Sequence, residues 1–208
     1  SDNFRFAGGT LSGTASVGGS AMNWASGTIS GGTLAINSGA TLTLSGTSDK
    51  IVNNGTLSVA GAGTWDGVGR ILLNNNGALN TVSGGTFSAT GDGTIDCTVA
   101  PCGSITNAGT FQKTGGTGVT LQNRSDIAFN NAGTVNVTSG TLRVNTNNLT
   151  SDGVIDVGPG TTFHAASGTF TNSTTGTLRG NGTIQTPAAG LTNNGTIAPG
   201  ASTGTLTI

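Results

Sequence analysis

A short phrase recurs along this 208-residue chain and limits its possible folds more than any other feature. The phrase consists of Asn or Asp, a nearby Gly, usually Thr, and then an apolar residue. It occurs as Asn54-Gly55-Thr56-Leu57, Asn76-Gly77-Ala78-Leu79, Asn107-Ala108-Gly109-Thr110-Phe111, Asn131-Ala132-Gly133-Thr134-Val135, Asp152-Gly153-Val154-Ile155 and Asn194-Gly195-Thr196-Ile197. A phrase that returns every ~20 residues predicts a repeat architecture, in which each repeat stacks on its neighbours.

Each repeat contains three short apolar segments, which we call stations. In one repeat they are centred on Leu57, Trp65 and Leu72. Polar and apolar residues alternate around each station, which is the pattern of a β-strand. Gly and Asn between the stations suit corners, because both tolerate a positive φ. The sequence therefore predicts an all-β fold, a right-handed parallel β-helix with three strands per coil, about 20–22 residues per coil and about nine coils.

We expect residues 1–208 to form a single solenoid, in which residues 1–30 are a less regular entry region. The block 74–106 is about 12 residues longer than its neighbours, which predicts an insertion there, with a loop around 88–104. One corner is expected to carry a ladder of stacked amides, formed by Asn53, Asn74, Asn107, Asn131, Asn172 and Asn193. Since residue 1 is Ser and no signal peptide is recognisable, we expect a piece of a longer protein.

Charged residues make up 7% of the chain and its net charge is -1, whereas typical soluble domains are about 25% charged. The basic residues are scattered singly, so the sequence gives no electrostatic case for a nucleic-acid partner or an anionic membrane surface. No apolar run approaches the ~20 residues of a membrane-spanning helix.

The search for catalytic chemistry yields few candidates. Enzymes built on parallel β-helices group carboxylates on one face, but Asp92 and Asp96 are four residues apart, about 13 Å along a strand. His164 is the sole histidine of the chain, and one histidine without further ligands is poor evidence for a metal site or a catalytic triad. We therefore predict no catalytic, cofactor-binding or metal site, with an adventitious calcium ion at Asp92–Asp96 as the alternative.

Cys97 and Cys102, the two cysteines of the chain, lie inside the oversized block. They are expected to form a disulfide that closes a small loop, which implies an oxidising compartment. Redox catalysis usually uses the tighter Cys-x-x-Cys spacing, and a zinc site would need two further ligands. Because loops on a repeat scaffold carry variation, we predict a contact loop here, with a merely tolerated insertion as the alternative. The candidate contact residues are Asp92, Asp96, Thr98, Val99 and Pro101.

The corner phrases, together with the ending that runs from Gly195-Thr196-Ile197-Ala198-Pro199-Gly200 to Ile208, resemble the β-helical stalks of large secreted bacterial surface proteins. These are the filamentous-haemagglutinin-type exoproteins and the autotransporter passengers. The resemblance implies an extracellular or cell-surface location and a non-catalytic structural or adhesive role. It also implies a host or surface receptor or a glycan as partner, flanking coils in the parent chain, and attachment to the outer membrane through another domain.

The resemblance supplies no catalytic residues, so other functions stay open. A glycan-binding module, an ice-binding face and a polysaccharide-degrading β-helix enzyme are the alternatives. Ice binding would need Thr-x-Thr pairs in register, and the pairs at Thr41/Thr43, Thr169/Thr171 and Thr205/Thr207 are too irregular for it.

Overall fold

The computed structural model describes residues 4–200 and 205–208. Within them there is no helix, and hence none long and apolar enough to cross a membrane. The strands are β1 (Phe4–Ser12), β2 (Ala15–Val17), β3 (Ala21–Ser30), β4 (Thr33–Ile36), β5 (Thr41–Leu44), β6 (Lys50–Asn53), β7 (Thr56–Val59), β8 (Ala62–Trp65), β9 (Ile71–Asn74), β10 (Ala78–Thr81), β11 (Thr86–Ala89), β12 (Thr94–Asp96), β13 (Ser104–Asn107), β14 (Thr110–Lys113), β15 (Val119–Gln122), β16 (Ala128–Asn131), β17 (Thr134–Val137), β18 (Thr141–Val144), β19 (Asn148–Ser151), β20 (Val154–Val157), β21 (Thr162–Ala165), β22 (Thr169–Asn172), β23 (Thr177–Gly180), β24 (Thr183–Gln185), β25 (Leu191–Asn193) and β26 (Thr196–Pro199).

These strands form the three faces of a coil. Face 1 is a nine-stranded sheet of β2, β4, β7, β10, β13, β16, β19, β22 and β25. The other strands belong to one 17-stranded sheet, which bends into two faces. Face 2 contains β5, β8, β11, β14, β17, β20, β23 and β26, and face 3 contains β6, β9, β12, β15, β18, β21 and β24. The long strands β1 and β3 join the two, because β3 pairs first with β5 and then with β6.

Neighbouring coils pair in parallel and place like residues on one another. Leu57, for example, pairs with Leu34 of the coil before and with Leu79 of the coil after. The structure thus confirms a parallel β-solenoid of about nine turns with about 21 residues per turn. Since no single coil can bury its own apolar side, the stability of such a stack is shared along its axis.

The interior is a continuous apolar column. Trp24, Trp65 and Phe87 have no exposed surface. The rings of Phe87 and Phe111 stack with centroids 5.5 Å apart, and Phe129 meets Phe111 edge-on at 5.7 Å. Each fully buried side chain of this size stabilises the fold by about 1.5–3 kcal/mol.

The recurring phrase occupies two different corners, not one. In the coils that begin at Asn54 and Asn76 it leads from face 3 into face 1. From Asn107 onward it leads from face 1 into face 2, since Phe111 pairs with Phe87 on face 2. The corners accept the same phrase because each needs a tight turn followed by an inward apolar residue.

The change of the phrase from one corner to the next accounts for most of the extra length of the block 74–106. The block contains four strands, β10 to β13, where other blocks contain three. The region predicted as a loop around 88–104 includes a turn at residues 90–93 and the regular strand β12, and the loop that departs from the regular coil comprises residues 97–103. The predicted insertion of about 12 residues therefore consists of one additional strand of the regular coil and a short loop.

Two expectations about side-chain placement are wrong. The ladder of six asparagines is two ladders, because the phrase changes corner, with Asn53 and Asn74 at the end of face 3 and Asn107, Asn131, Asn172 and Asn193 at the end of face 1. At the third station of the coil before Leu57, the apolar Ile51 would be expected inside. In β6, however, the buried residues are Lys50 and Val52, and Ile51 faces outward.

Candidate functional site

Polar features concentrate at two of the three corners of the coil. We define the charged corner as the turns between faces 2 and 3, residues 45–49, 66–70, 90–93 and 114–118 in successive coils. We define the open corner as the turns between faces 3 and 1, residues 31–32, 54–55, 75–77 and 97–103. Face 3 lies between them.

The charged corner holds a lysine inside the solenoid. Lys113 ends β14 and is fully buried, because its position alternates with Phe111 on the inward side of the strand. Its Nζ donates hydrogen bonds to Asp92 Oδ1 at 2.7 Å, Gly115 O at 2.9 Å and Thr120 Oγ1 at 3.1 Å, with Gly91 O at 3.3 Å. The ammonium group thus fills the corner and satisfies oxygens of two adjacent coils.

Asp92 is the counter-ion of this lysine. Its second oxygen, Oδ2, accepts a hydrogen bond from Gly118 N at 3.0 Å, and its side chain is 39% exposed. Hydrogen bonding to Lys113 holds the pKa of the Asp92 carboxyl below its ordinary value. Asp92 therefore neutralises an interior charge from the rim of the corner.

A second buried lysine, Lys50, lies at the same corner three coils earlier, and no carboxylate of the described residues is in contact with it. Lys50 Nζ donates to Gly46 O at 2.9 Å and to Ser48 O at 2.8 Å, both in the turn that precedes it. The next turn closes over it, since a Cβ added to Gly69 would lie 2.7 Å from Nζ. Burial lowers the pKa of Lys50, although the nearby charges of Asp66 and Asp49 oppose this shift.

An ion-pair ladder runs along the outside of the charged corner and onto face 3. Arg70 binds Asp49 through two nitrogens, with Nε and Nη2 at 3.2 and 2.7 Å from the carboxylate oxygens. Asp96, one coil further, approaches Arg70 Nη1 at 3.6 Å. Hydrogen bonding to Asp49 raises the pKa of the Arg70 guanidinium, so this group stays charged and links three coils.

The predicted disulfide is present at the open corner. Cys97 and Cys102 are joined with a Cα–Cα distance of 5.6 Å and close the loop that leaves β12 and leads into β13. Cys97 is buried at 3% exposure and packs on the core, whereas Val99 at the tip is 47% exposed. The bond therefore ties an exposed tip to the apolar interior.

The loop is also fixed to the coil beneath it. Asn74 Oδ1 accepts hydrogen bonds from the backbone N–H groups of Thr98 and Val99, at 2.8 and 3.1 Å. The N–H groups of Asn75 and Asn76 donate in turn to Val99 O and Pro101 O, at 3.0 and 2.8 Å. Cross-links at both ends and along its length make this projection a preorganised element of the rod.

A shallow polar groove of about 300 Å³ runs along the open corner beside this loop. It is lined by residues 31–33, 54–56 and Asn76, which belong to three successive coils. Asn54 and Asn76 have positive φ angles of 48° and 63°, a conformation that Asn tolerates better than most residues. Asn76 also holds Pro101 O, so the disulfide loop stands directly beside the groove.

The structure divides the candidate contact residues between the two corners. Thr98, Val99 and Pro101 are exposed in the disulfide loop, at the end of β12 that meets the open corner. Asp92 precedes β12 at its other end and is bound to Lys113, whereas Asp96 is the last residue of β12, next to Cys97, and faces Arg70. The loop and Asp92 therefore do not form one surface.

The other candidates for chemistry stand apart. His164 is half-buried on the outward side of face 3, paired across strands with Arg143 and Gln185. Burial, and then the charge of Arg143, lower the pKa of the imidazole. The carboxylate oxygens of Asp92 and Asp96 accept hydrogen bonds or form ion pairs with donors of the protein. Within residues 4–200 and 205–208 no group of three or more His, Cys, Asp or Glu side chains is placed to hold a metal ion.

Sequence reasoning missed the two interior lysines because a charged residue is almost never fully buried without a partner. A signal was nevertheless present. Strand alternation in Thr110-Phe111-Gln112-Lys113 places Lys113 on the same side as Phe111, and the core position of the next coil is Val137.

Comparison of the chain with protein-family models, with curated proteins and with solved structures found no match.

Proposed function

We propose that this chain is a non-catalytic, rod-like segment of a bacterial cell-surface or secreted fibrous protein, and that the open corner is its contact surface. The observation that carries the proposal is the disulfide loop, which projects from an otherwise regular stack and is pinned to it at both cysteines and along Asn74–Asn76. A loop held so firmly loses little conformational entropy on binding.

The composition of the rest of the stack supports a structural role. The coils bury a continuous apolar column, and the charged side chains of the charged corner form internal hydrogen bonds and ion pairs. The disulfide fits an oxidising, extracellular setting. Flanking coils of a parent chain would extend the same three faces, and another domain would attach the rod to the outer membrane.

Bead adhesion tests the proposal with a matched pair of variants. Val99 at the open corner and Val68 at the charged corner are both exposed, at 47% and 61%. Beads coated with wild-type protein should be retained on cultured epithelial cells, Val99→Asp should reduce this retention severalfold, and Val68→Asp should leave it unchanged. Equal losses in the two variants, or no retention of wild-type beads above albumin-coated beads, would argue against the proposal.

A further inference from the structure

The groove of the open corner carries an inference that deepens the proposed function and rests on it, because it names a ligand class for the contact surface. We propose that the groove lined by residues 31–33, 54–56 and Asn76 binds a neutral saccharide.

The polar side chains of the groove form no hydrogen bonds with the part of the chain that the structure describes. Among the described residues, no hydrogen bond involves the side chains of Thr33, Asn54, Thr56 or Asn76. By contrast, the neighbouring Asn53 and Asn75 are bonded to each other at 2.6 Å. Two of the corner amides thus stabilise the stack, and the next two along the chain are left for solvent or a ligand.

The chemistry of these groups selects an uncharged partner. The lining contains amides, hydroxyls and glycine backbone and includes no charged side chain. An amide or a hydroxyl both donates and accepts, which matches the hydroxyl groups of a sugar ring. An anion would find no cationic partner here, and a cation would find no carboxylate.

The shape also favours a saccharide over a peptide. Peptides commonly bind a β-protein by adding a strand to a free sheet edge. The groove crosses three successive coils whose strands β4, β7 and β10 already pair with one another, so it offers no edge. Its volume of about 300 Å³ lies at the lower end of the range for ligand pockets, which suits a short segment of glycan.

The disulfide loop adds exposed apolar surface beside the groove. Val99 and Pro101 are exposed next to Asn76, and a sugar ring has apolar C–H faces as well as hydroxyl groups. Positive-φ asparagines repeat on adjacent coils ~4.8 Å apart, so the backbone positions that carry the two free amides are held in a fixed relation. A backbone fixed in this way lowers the entropy cost of ordering the site on binding.

The test is a titration of the full ¹⁵N-labelled chain, followed by its backbone amide signals. Cellobiose, chitobiose, lactose and maltose are each added to about 10 mM, a range that detects millimolar dissociation constants. We expect at least one of them to shift the amide signals of residues 31–33, 54–56 and 75–77. A heparin-derived disaccharide at the same concentration should shift them less.

The matched variant is Asn54→Gly/Asn76→Gly. Glycine accepts the positive φ of both positions, so the variant removes the two amides and keeps the turns. It should weaken binding about tenfold, while Asn130→Ala, an exposed face 1 residue, should bind as wild type does. Thermal unfolding of both variants reports that they are folded.

Three outcomes would overturn the inference: no neutral disaccharide shifts these signals, the double variant binds like wild type, or the anionic disaccharide binds better. Each is distinct from failure of the proposed function. If beads still adhere through Val99 while no sugar binds, the contact surface stands and the ligand class is wrong. If a sugar binds at the groove but beads do not adhere, the ligand class stands and the role of the open corner in adhesion is wrong.

Discussion

The charged corner and the open corner are two edges of the same coil, yet they use polar groups in opposite ways. At the charged corner, Lys113 and Lys50 turn inward and satisfy backbone carbonyls, and Asp92 neutralises one of them. At the open corner, the side chains of Asn54 and Asn76 are exposed beside a rigid loop and form no hydrogen bond with residues 4–200 or 205–208. The difference indicates that the first corner holds the stack together and the second is free to bind.

The largest expected effect comes from removing the ammonium group of Lys113. Lys113→Met keeps the length of the side chain but leaves Gly115 O and Asp92 Oδ1 without the ammonium donor, while Gly91 O keeps its hydrogen bond from Thr120 Oγ1. Because unsatisfied buried polar groups are costly, we expect a loss of about 3 kcal/mol in unfolding free energy, measured by urea denaturation. A loss below about 0.5 kcal/mol would show that the charged corner is not a structural element.

Removal of the disulfide is expected to have a smaller effect. Closing a loop between residues five apart in sequence stabilises a fold by about 2 kcal/mol in the chain-entropy description. Cys97→Ala/Cys102→Ala should lower the unfolding free energy by this amount and raise hydrogen exchange in residues 97–103. Exchange that stays as slow as in the wild type would mean that the bonds to Asn74 alone hold the loop.

Burial lowers the pKa of Lys50, so its substitution should change how stability depends on pH. Between the folded-state pKa and the ordinary value of 10.5, the unfolded chain binds more protons than the folded one, so stability rises with pH in that window. Lys50→Met should cost about 2 kcal/mol at neutral pH for its two carbonyl partners. It should also abolish this rise, which denaturation midpoints from pH ~7 to ~10.5 would measure. If the rise is the same in the variant, Lys50 is not its source.

Asp92 should give a small, pH-dependent effect. Its pKa is lowered from 3.8 by Lys113, so its contribution is present above that pH and is lost as the pH falls through the folded-state pKa. Asp92→Asn should cost less than about 1 kcal/mol at neutral pH, since the carboxylate is partly exposed. Wild type and variant should converge in stability below the folded-state pKa. A constant difference down to pH ~2 would contradict the role of counter-ion.

Much of the fold could be predicted from the sequence, because corners and apolar alternation are local properties. The corner of the coil at which each phrase lies could not be predicted. The phrase at Asn76 and the phrase at Asn107 look alike, and a sequence does not say which corner each one turns. The sequence also could not show which residues of β6 face inward, because the charge of Lys50 suggests exposure and the apolar Ile51 suggests burial.

The candidate site was predicted in part. Cys97 and Cys102 indicated the loop because cysteine has a pairing rule that can be read from sequence. The groove depends on residues about 22 apart, such as Asn54 and Asn76, whose side chains meet only once the coils are stacked in register. Proximity in sequence groups Asp92 with the loop, but strand β12 separates them and Asp92 lies at the opposite corner.

Bead retention on cultured epithelial cells, compared between one variant of each corner, tests the division of roles most directly. The account predicts that Asp92→Asn beads are retained like the wild type, whereas Asn54→Gly/Asn76→Gly beads lose most of their retention with an unchanged unfolding temperature. Loss of retention in Asp92→Asn together with normal retention in the double variant would contradict it.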